Sequence, residues 1–222
     1  LPVFAAVVLL RLPFVEYGQL PFFGFTLFTL RLDSLSFVFA LIFHIAAFLT
    51  ALYAWHVRDT VQQVAALIYG GAAIGAVLAG DLITLFVFWE LTAISSVFLI
   101  LARGTERAFR ASMRYLIIQV SSGLLLLAGA LVHYYQTGSL AFDFIGLESA
   151  GGWLILLAFG IKCAFPLLHT WLVDAYPEAT VTGGLILSAY TTKTAVYTLI
   201  RGYAGWEVLI VVGCVMTLYG II

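Results

Sequence analysis

Three ionisable side chains lie inside long apolar runs, and they have the greatest capacity for chemistry in this sequence. Glu90 follows Phe-Trp, Lys162 follows Gly-Ile, and Lys193 lies among threonines. A charge at the centre of a membrane costs about 2.5–3.5 kcal/mol on insertion scales, so three of them cost on the order of 8–10 kcal/mol before any pairing. Because packing alone seldom justifies that cost, we expect all three to be buried in a helix bundle and to carry protons.

A proline sharpens the prediction for Lys162. Pro166 lies four residues further along the same apolar run. Proline removes the helical hydrogen bond to the carbonyl four residues before it and clashes with that carbonyl, which here belongs to Lys162. We therefore expect the helix to break near Lys162–Pro166 and to leave a free carbonyl beside the ammonium. Broken helices next to buried charges recur at the ion sites of transporters.

A histidine extends the candidate site. His169 lies seven residues after Lys162, so the two would share a face of an unbroken helix. Imidazole titrates near neutral pH and could relay a proton. Simpler interpretations stay open: Glu90 and Lys162 could form a structural ion pair, Lys193 could extend toward the membrane interface, and His169 could be an interfacial histidine.

The composition indicates a membrane protein. Of the 222 residues, 64% are hydrophobic and 9% are charged, whereas soluble domains average about 25% charged residues. The net charge of −1 argues against a nucleic-acid partner. Phosphate-binding loops, dinucleotide fingerprints and zinc or serine-hydrolase motifs are missing from the sequence. We therefore expect no bound cofactor and no metal site.

The apolar runs predict an all-α integral membrane fold, a polytopic bundle of transmembrane helices. A span needs about 20 apolar residues, and continuous rather than alternating runs favour helices over a barrel. The expected spans are 1–10 (partial), 32–55, 62–79, 82–102, 111–135, 151–171, 181–200 and a run from 206. We expect one transmembrane domain over 1–222, with a partial span and loop at 1–31. Both ends fall in apolar runs, so we expect a fragment of a longer protein.

The loops give an orientation. Arginines cluster around one short loop, at positions 103, 107, 110 and 114, and the next loop carries Asp143 and Glu148. The positive-inside rule then places the arginine loop in the cytoplasm. Counting the spans alternately places Arg31 and Arg201 on the outer side, together with Asp143. Within 62–79, Gly71 and Gly75 form a small-residue pair that favours close helix packing, inside this bundle or at a subunit interface.

Two stretches resemble a known family. FWEL at 88–91 and the run GIKCAFPLLHTWLVDAYPEATVTGGLILSAYTTKTAVYTLIRG at 160–202 are similar to the proton-conducting antiporter-like subunits of respiratory complex I and of Mrp-type sodium/proton antiporters. FGIKCAFPLLH and YPEA look closer to the D-type subunit of the Mrp antiporter. The resemblance implies two inverted five-helix repeats, of which this chain would cover the first.

The resemblance also implies roles for the site residues. Glu90 and Lys162 would form a coupled pair, Lys193 would be a central proton-relay residue, and His169 would match the family histidine. While Lys162 is paired with Glu90 it keeps its proton in a dry site, and movement of the carboxylate would pass that proton to a neighbour.

The expected function is that of a proton-translocating subunit in a multi-subunit sodium/proton antiporter of the bacterial inner membrane. Its partners would be other membrane subunits, lipid, protons and sodium ions, although the sequence shows no sodium site. Two alternatives stay open. One is a proton-pumping membrane subunit of an NADH-quinone oxidoreductase, and the other is a non-transporting membrane scaffold.

Overall fold

The computed structural model describes residues 2–221, which form a helix bundle with one β-hairpin. The helices are α1 (Pro2–Leu9), α2 (Ser34–Tyr53), α3 (Thr60–Leu78), α4 (Leu82–Leu101), α5 (Glu106–Thr137), α6 (Ala150–Cys163), α7 (Thr170–Ala175), α8 (Val181–Gly202) and α9 (Val208–Ile221). Short 3₁₀ turns follow α2 and α7, at Ala54–His56 and Tyr176–Glu178. The strands are β1 (Glu16–Phe22) and β2 (Phe25–Arg31).

The helices confirm the predicted membrane bundle. By length and composition, α2, α3, α4 and α5 can each cross a bilayer, and α6 and α9 are shorter apolar helices. Side chains at the N-caps explain where most of these helices begin, because each accepts a hydrogen bond from a free backbone N–H of the first turn. These capping residues are Asp33, Asp59, Asp81, Thr105, Ser149 and Thr180.

The β-hairpin was not predicted, since we expected only a partial span and a loop before residue 32. β1 and β2 pair antiparallel from Glu16–Arg31 to Phe22–Phe25. The turn residues Phe23 and Gly24 both have positive φ angles, 47° and 85°, as two-residue hairpin turns require. Asp81 fixes the hairpin to the bundle, because its carboxylate caps α4 and also accepts from the Phe28 amide at 2.8 Å.

Ion pairs collect at the two ends of the bundle. At one end, here called the arginine end, Arg107 pairs with Glu178 at 2.7 Å and Arg114 with Asp174 at 2.8 Å. At the other end, the hairpin end, Arg31 pairs with Asp143 at 2.8 Å and Arg201 with Asp33 at 2.8 Å. The predicted grouping of Arg31 and Arg201 with Asp143 is therefore confirmed.

Candidate functional site

Lys162 lies in the last turn of α6 and is 1% exposed. Its Nζ atom donates to the Trp89 carbonyl at 2.8 Å and to the Thr92 Oγ1 atom at 2.9 Å, both on α4. Nζ also lies 4.2 Å from the centroid of the Trp89 ring, a cation–π distance that favours the charged amine. The ammonium is thus removed from solvent but still hydrogen-bonded.

Trp89 of α4 holds this arrangement together because it contacts both α5 and α6. Its ring is fully buried and lies 5.3 Å from the Phe159 ring of α6. Its Nε1 atom donates to the Ser122 Oγ atom of α5 at 3.1 Å, and that hydroxyl donates to the Ala158 carbonyl at 2.8 Å. These bonds fix the Trp89 ring, over which the Lys162 amine lies.

Glu90 is the next residue on α4, and its half-buried side chain extends toward α5. A β-carbon at position 123 would lie 1.4 Å from the Glu90 Oε1 atom, so the carboxylate occupies space that Gly123 leaves open. Within residues 2–221, Oε1 is buried and has no hydrogen-bond partner. No salt bridge joins Glu90 to Lys162 in this part of the chain, but Lys162 donates to the carbonyl of Trp89, the residue that precedes Glu90. The structure therefore places Lys162 against the backbone of α4 beside Glu90, while the Glu90 carboxylate lies against Gly123 of α5.

The predicted helix break is confirmed next to Lys162. α6 ends at Cys163, and Ala164 adopts the left-handed conformation with φ of 62°. The Phe165 amide donates to the Gly160 carbonyl at 2.9 Å and the Ala164 amide to the Ile161 carbonyl at 3.1 Å, the pattern of a Schellman cap. The chain thus leaves the helix two residues before Pro166.

His169 lies beyond this break, at the N-cap position of α7, and is half-buried. The shared face predicted for Lys162 and His169 required an unbroken helix, so helical periodicity no longer relates them. Another residue of the segment connects it to α6, because the Trp171 Nε1 atom donates to the Ile161 carbonyl at 2.9 Å.

The predicted burial of Lys193 is wrong for this chain. Its side chain is exposed, and Nζ donates to the Ser188 carbonyl of the same helix at 2.7 Å. The reason is the orientation of α8, which turns Thr191 and Thr194 inward and leaves an outer stripe uncovered. Besides Lys193, the exposed residues of this stripe are Val181, Leu185, Ser188, Val196 and Ile200.

A buried group of hydroxyl side chains was missed by the sequence analysis. The Tyr115 hydroxyl bonds to the Ser96 hydroxyl at 2.9 Å. The Tyr69 hydroxyl bonds to the Thr191 hydroxyl and donates to the Leu187 carbonyl at 3.0 Å. All four hydroxyl-bearing residues are at most 2% exposed. The sequence did contain an indication of this group, since each of the four residues is a polar residue within a predicted span.

The described residues offer no metal site, since none of their His, Cys, Asp and Glu side chains form a group of three or more that could hold an ion. Cys163 is buried beside the site, and Cys214 is exposed far along the chain. Lys162 and Glu90 supply a titratable nitrogen and titratable oxygens, groups of the kind that can exchange protons.

Comparison with known proteins gives matches over most of the chain. Residues 79–221 match the family described as NADH:quinone oxidoreductase/Mrp antiporter, TM. NAD(P)H-quinone oxidoreductase chain 4 1 of Synechococcus elongatus is 29% identical over 184 residues, which cover 78% of this chain and 34% of that protein. NADH-quinone oxidoreductase subunit M of Pseudomonas aeruginosa is 33% identical over 150 residues, which cover 59% and 30%. The chain thus spans about a third of each relative's length.

Solved structures match as well. A chain of the Mrp complex from Dietzia sp. DQ12-45-1b superimposes with a TM-score of 0.74 at 25% identity, covering 91% of this chain and 41% of that one. A chain of respiratory complex I from Thermus thermophilus superimposes with a TM-score of 0.80 at 20% identity, covering 99% and 50%. At that identity the second match supports the fold alone.

Proposed function

Because this chain belongs to the NADH:quinone oxidoreductase/Mrp antiporter transmembrane family, we propose that it is a proton-translocating subunit of a larger membrane complex. Lys162 carries the proposal, since its amine is 1% exposed yet keeps two hydrogen-bond acceptors. A buried amine with few partners can exist with or without its proton, so it is suited to accept and release one.

Glu90 is proposed as the group that controls the charge of Lys162. A charge in a dry site is stabilised when an opposite charge approaches and destabilised when it withdraws. Gly123 leaves room for the carboxylate, and the unbonded Oε1 atom does not tie it to one position. When Glu90 withdraws, one N–H bond of Lys162 breaks and its proton passes to a neighbouring acceptor. When Glu90 returns, the neutral amine takes a new proton.

His169 and Lys193 are proposed as later carriers. His169 follows the break after Lys162, where irregular backbone gives the chain room to adjust. Lys193 lies near the middle of α8, and a charge at that depth is costly against lipid. We therefore propose that further protein covers this stripe of α8 in the assembled complex, so that Lys193 receives protons from a neighbour there.

Two kinds of complex fit this subunit. The first is a multi-subunit sodium/proton antiporter of the bacterial inner membrane, with the arginine end in the cytoplasm. The structural match to the Mrp complex over 91% of this chain supports it. The second is a proton-pumping quinone oxidoreductase, which the names of the curated relatives support. Purifying the native complex separates them: iron–sulfur or quinone-binding partners indicate the oxidoreductase, and sodium-dependent proton movement indicates the antiporter.

Proton transport in vesicles that contain the assembled complex tests the proposal. Lys162→Met removes the amine but keeps a long apolar side chain, so we expect complete loss of transport with normal membrane insertion. Cys163→Ala is the matched control, because it alters the buried neighbour on α6 and leaves the charge in place. Transport at the wild-type rate by an assembled Lys162→Met complex would reject the proposal and favour a structural scaffold.

A further inference from the structure

Gln119 of α5 is fully buried, and within residues 2–221 neither its amide nitrogen nor its amide oxygen has a hydrogen-bond partner. Buried polar groups are nearly always hydrogen-bonded to protein or to ordered water, and leaving one unbonded costs about 1–3 kcal/mol. An amide presents both donors and an acceptor, which a water molecule can satisfy together. We therefore expect a small polar ligand, such as water, to hydrogen-bond to the Gln119 amide.

The position of Gln119 relates that ligand to the lysine site. Residues four apart lie on one face of a helix, so Gln119 lies between Tyr115 and Gly123 on α5. Tyr115 bonds to Ser96 of α4, and Gly123 faces Glu90 of α4. Gln119 thus lies between these two contacts. It faces the segment of α4 between Glu90 and Ser96.

Thr92 belongs to this level of α4. It accepts a hydrogen bond from the Lys162 Nζ atom at 2.9 Å, and it precedes Ser96 by four residues on the same face. The Thr92 and Ser96 hydroxyls are about one helical turn apart, which is too far for a direct hydrogen bond between them. A water held by Gln119 would span this interval.

Beyond Tyr115, hydroxyl groups continue toward the arginine end. The rings of Tyr115 and Tyr176 both pack against the Trp171 ring, with centroids 5.5 Å and 5.8 Å from it. On α8, the Thr191 hydroxyl bonds to the Tyr69 hydroxyl. The Tyr176 hydroxyl also donates to the Leu187 carbonyl at 3.1 Å, the carbonyl that Tyr69 uses. Tyr176 lines a surface recess of about 460 Å³ together with Arg103 and Thr180. Hydroxyl groups therefore lie between Lys162 and the surface, and within residues 2–221 the direct hydrogen bonds are interrupted at Gln119 and again between Tyr115 and Thr191.

We propose that Gln119 binds a water molecule that links Thr92 to Tyr115, and that protons reach Lys162 through this water from the recess at Tyr176. This inference rests on the proposed function, because it supplies the proton that Lys162 carries. The neutral Lys162 amine takes a proton through the Thr92 hydroxyl and the bound water, the water is refilled from Tyr115, and solvent refills the last hydroxyl. Each oxygen breaks one O–H bond and forms another, so the chain of groups ends unchanged.

Two substitutions at Gln119 separate water binding from packing. Gln119→Asn keeps an amide and leaves more room for water, whereas Gln119→Leu fills a similar volume with apolar atoms. For a water site we expect Gln119→Leu to lower proton transport by about 10²-fold, in the range that a lost proton-transfer partner costs, and Gln119→Asn to retain most of it. If Gln119 only fills space, the order reverses, since leucine matches its volume better than asparagine.

A second pair tests the hydroxyl groups and does not depend on Gln119. Thr191→Val removes a buried hydroxyl of the proposed path. Thr198→Val removes an equally buried hydroxyl that donates to the Ala195 carbonyl of its own helix at 2.8 Å. We expect Thr191→Val to slow transport driven by acidifying the arginine side, and Thr198→Val to leave it near the wild-type rate. Equal rates for the two variants would overturn the path.

The control for the whole series is Lys162→Met in the same vesicles. If Lys162→Met abolishes transport while Gln119→Leu and Thr191→Val match the wild type, the proposed function stands and the path through Gln119 is rejected. If Lys162→Met itself transports normally, the proposed function and this path are both rejected.

Discussion

Gly123 faces Glu90 across the contact between α4 and α5 so closely that a β-carbon at position 123 would lie 1.4 Å from the Glu90 Oε1 atom. The Glu90 carboxylate can occupy its position only because residue 123 of α5 has no side chain. Glycine inside a helix is less stable than alanine by roughly 0.5–1 kcal/mol. Gly123 therefore lowers the stability of α5 slightly, and the space it leaves is occupied by the Glu90 carboxylate.

Gly123→Ala is expected to move the Glu90 carboxylate and to lower proton transport strongly, while the complex still assembles. Gly71→Ala is the matched control, because Gly71 is also a glycine inside a membrane helix but a β-carbon there meets nothing within 4 Å. That variant should transport normally and be slightly more stable. Vesicle transport and thermal unfolding of both purified complexes measure the difference. Equal transport by Gly123→Ala and wild type would show that Glu90 does not need its present position.

Glu90→Gln is expected to uncouple the relay, because it keeps the shape of the side chain and removes the charge that acts on Lys162. Transport should fall about 10²-fold or more, as for loss of a proton-transfer group, with unchanged complex yield. Glu148→Gln is a suitable control, since that carboxylate lies in the loop before α6 and outside the site. Wild-type exchange activity in an assembled Glu90→Gln complex would contradict the functional pairing of Glu90 with Lys162.

Asp81 is expected to contribute more stability than an ordinary N-cap residue. Its carboxylate accepts from the amides of Thr84 and Phe28 and from the Thr84 hydroxyl, and it is 2% exposed. Asp81→Ala would lose a cap worth about 1 kcal/mol and also leave the Phe28 amide without its partner, for a further 1–3 kcal/mol or so. Asp59→Ala, at the exposed cap of α3, should lose only the cap. Chemical or thermal unfolding compares them, and equal losses would contradict the role of Asp81 in fixing the hairpin.

The spans were predictable from the sequence because membrane helices need long apolar runs. The predicted run 82–102 became Leu82–Leu101, and the break near Pro166 followed from proline's missing amide hydrogen. The hairpin was missed because Phe23 occupies a turn position with positive φ, where asparagine, aspartate or glycine is usual.

Which side of a helix faces inward was harder to predict, and Lys193 shows why. A polar cluster of threonine and lysine indicates a functional face, but Thr191 and Lys193 are two residues apart and lie on different sides of α8. Thr191 is 2% exposed and Lys193 is exposed. Similarly, Gly75 packs against Phe88 of this bundle while Gly71 faces open space, which sequence spacing does not distinguish. Gln119 was missed because one amide in an apolar run gives no pattern.

The Arg114–Asp174 pair predicts a dependence of stability on pH. Two hydrogen bonds of 2.8 Å join the guanidinium to the carboxylate, and these bonds from Arg114 lower the pKa of Asp174, which lies in α7 beyond the broken helix. A lowered folded-state pKa means that the pair stabilises the fold above the unfolded pKa of about 3.9 and that this stabilisation is lost as pH falls through the folded value.

The expected result is a constant stability advantage of wild type over Asp174→Asn near neutral pH, which disappears as the pH falls below about 4. High salt should reduce this advantage, because both groups are exposed. Thermal unfolding in detergent across this pH range measures it, with Arg114→Gln as the partner control. An advantage that persists unchanged at pH 3 would show that Asp174 stabilises α7 by another contact.

Lys193 gives the prediction that separates a relay residue from a lysine that faces lipid. Its ammonium lies near the middle of α8 among exposed apolar side chains and donates a hydrogen bond to the Ser188 carbonyl. Facing lipid there, Lys193 would cost about 2.5–3.5 kcal/mol, so Lys193→Leu would stabilise the protein and leave transport intact. Covered by protein and carrying protons, it would be needed for transport.

We expect Lys193→Leu to abolish proton transport in the assembled complex without raising its thermal stability. Val196→Leu changes an exposed apolar residue of the same stripe and should leave transport unchanged, which controls for added bulk on this face. Transport in vesicles and unfolding of the purified complex, measured on the same preparations, give both quantities. A more stable Lys193→Leu complex with the wild-type transport rate would place this lysine against lipid and remove it from the proposed relay.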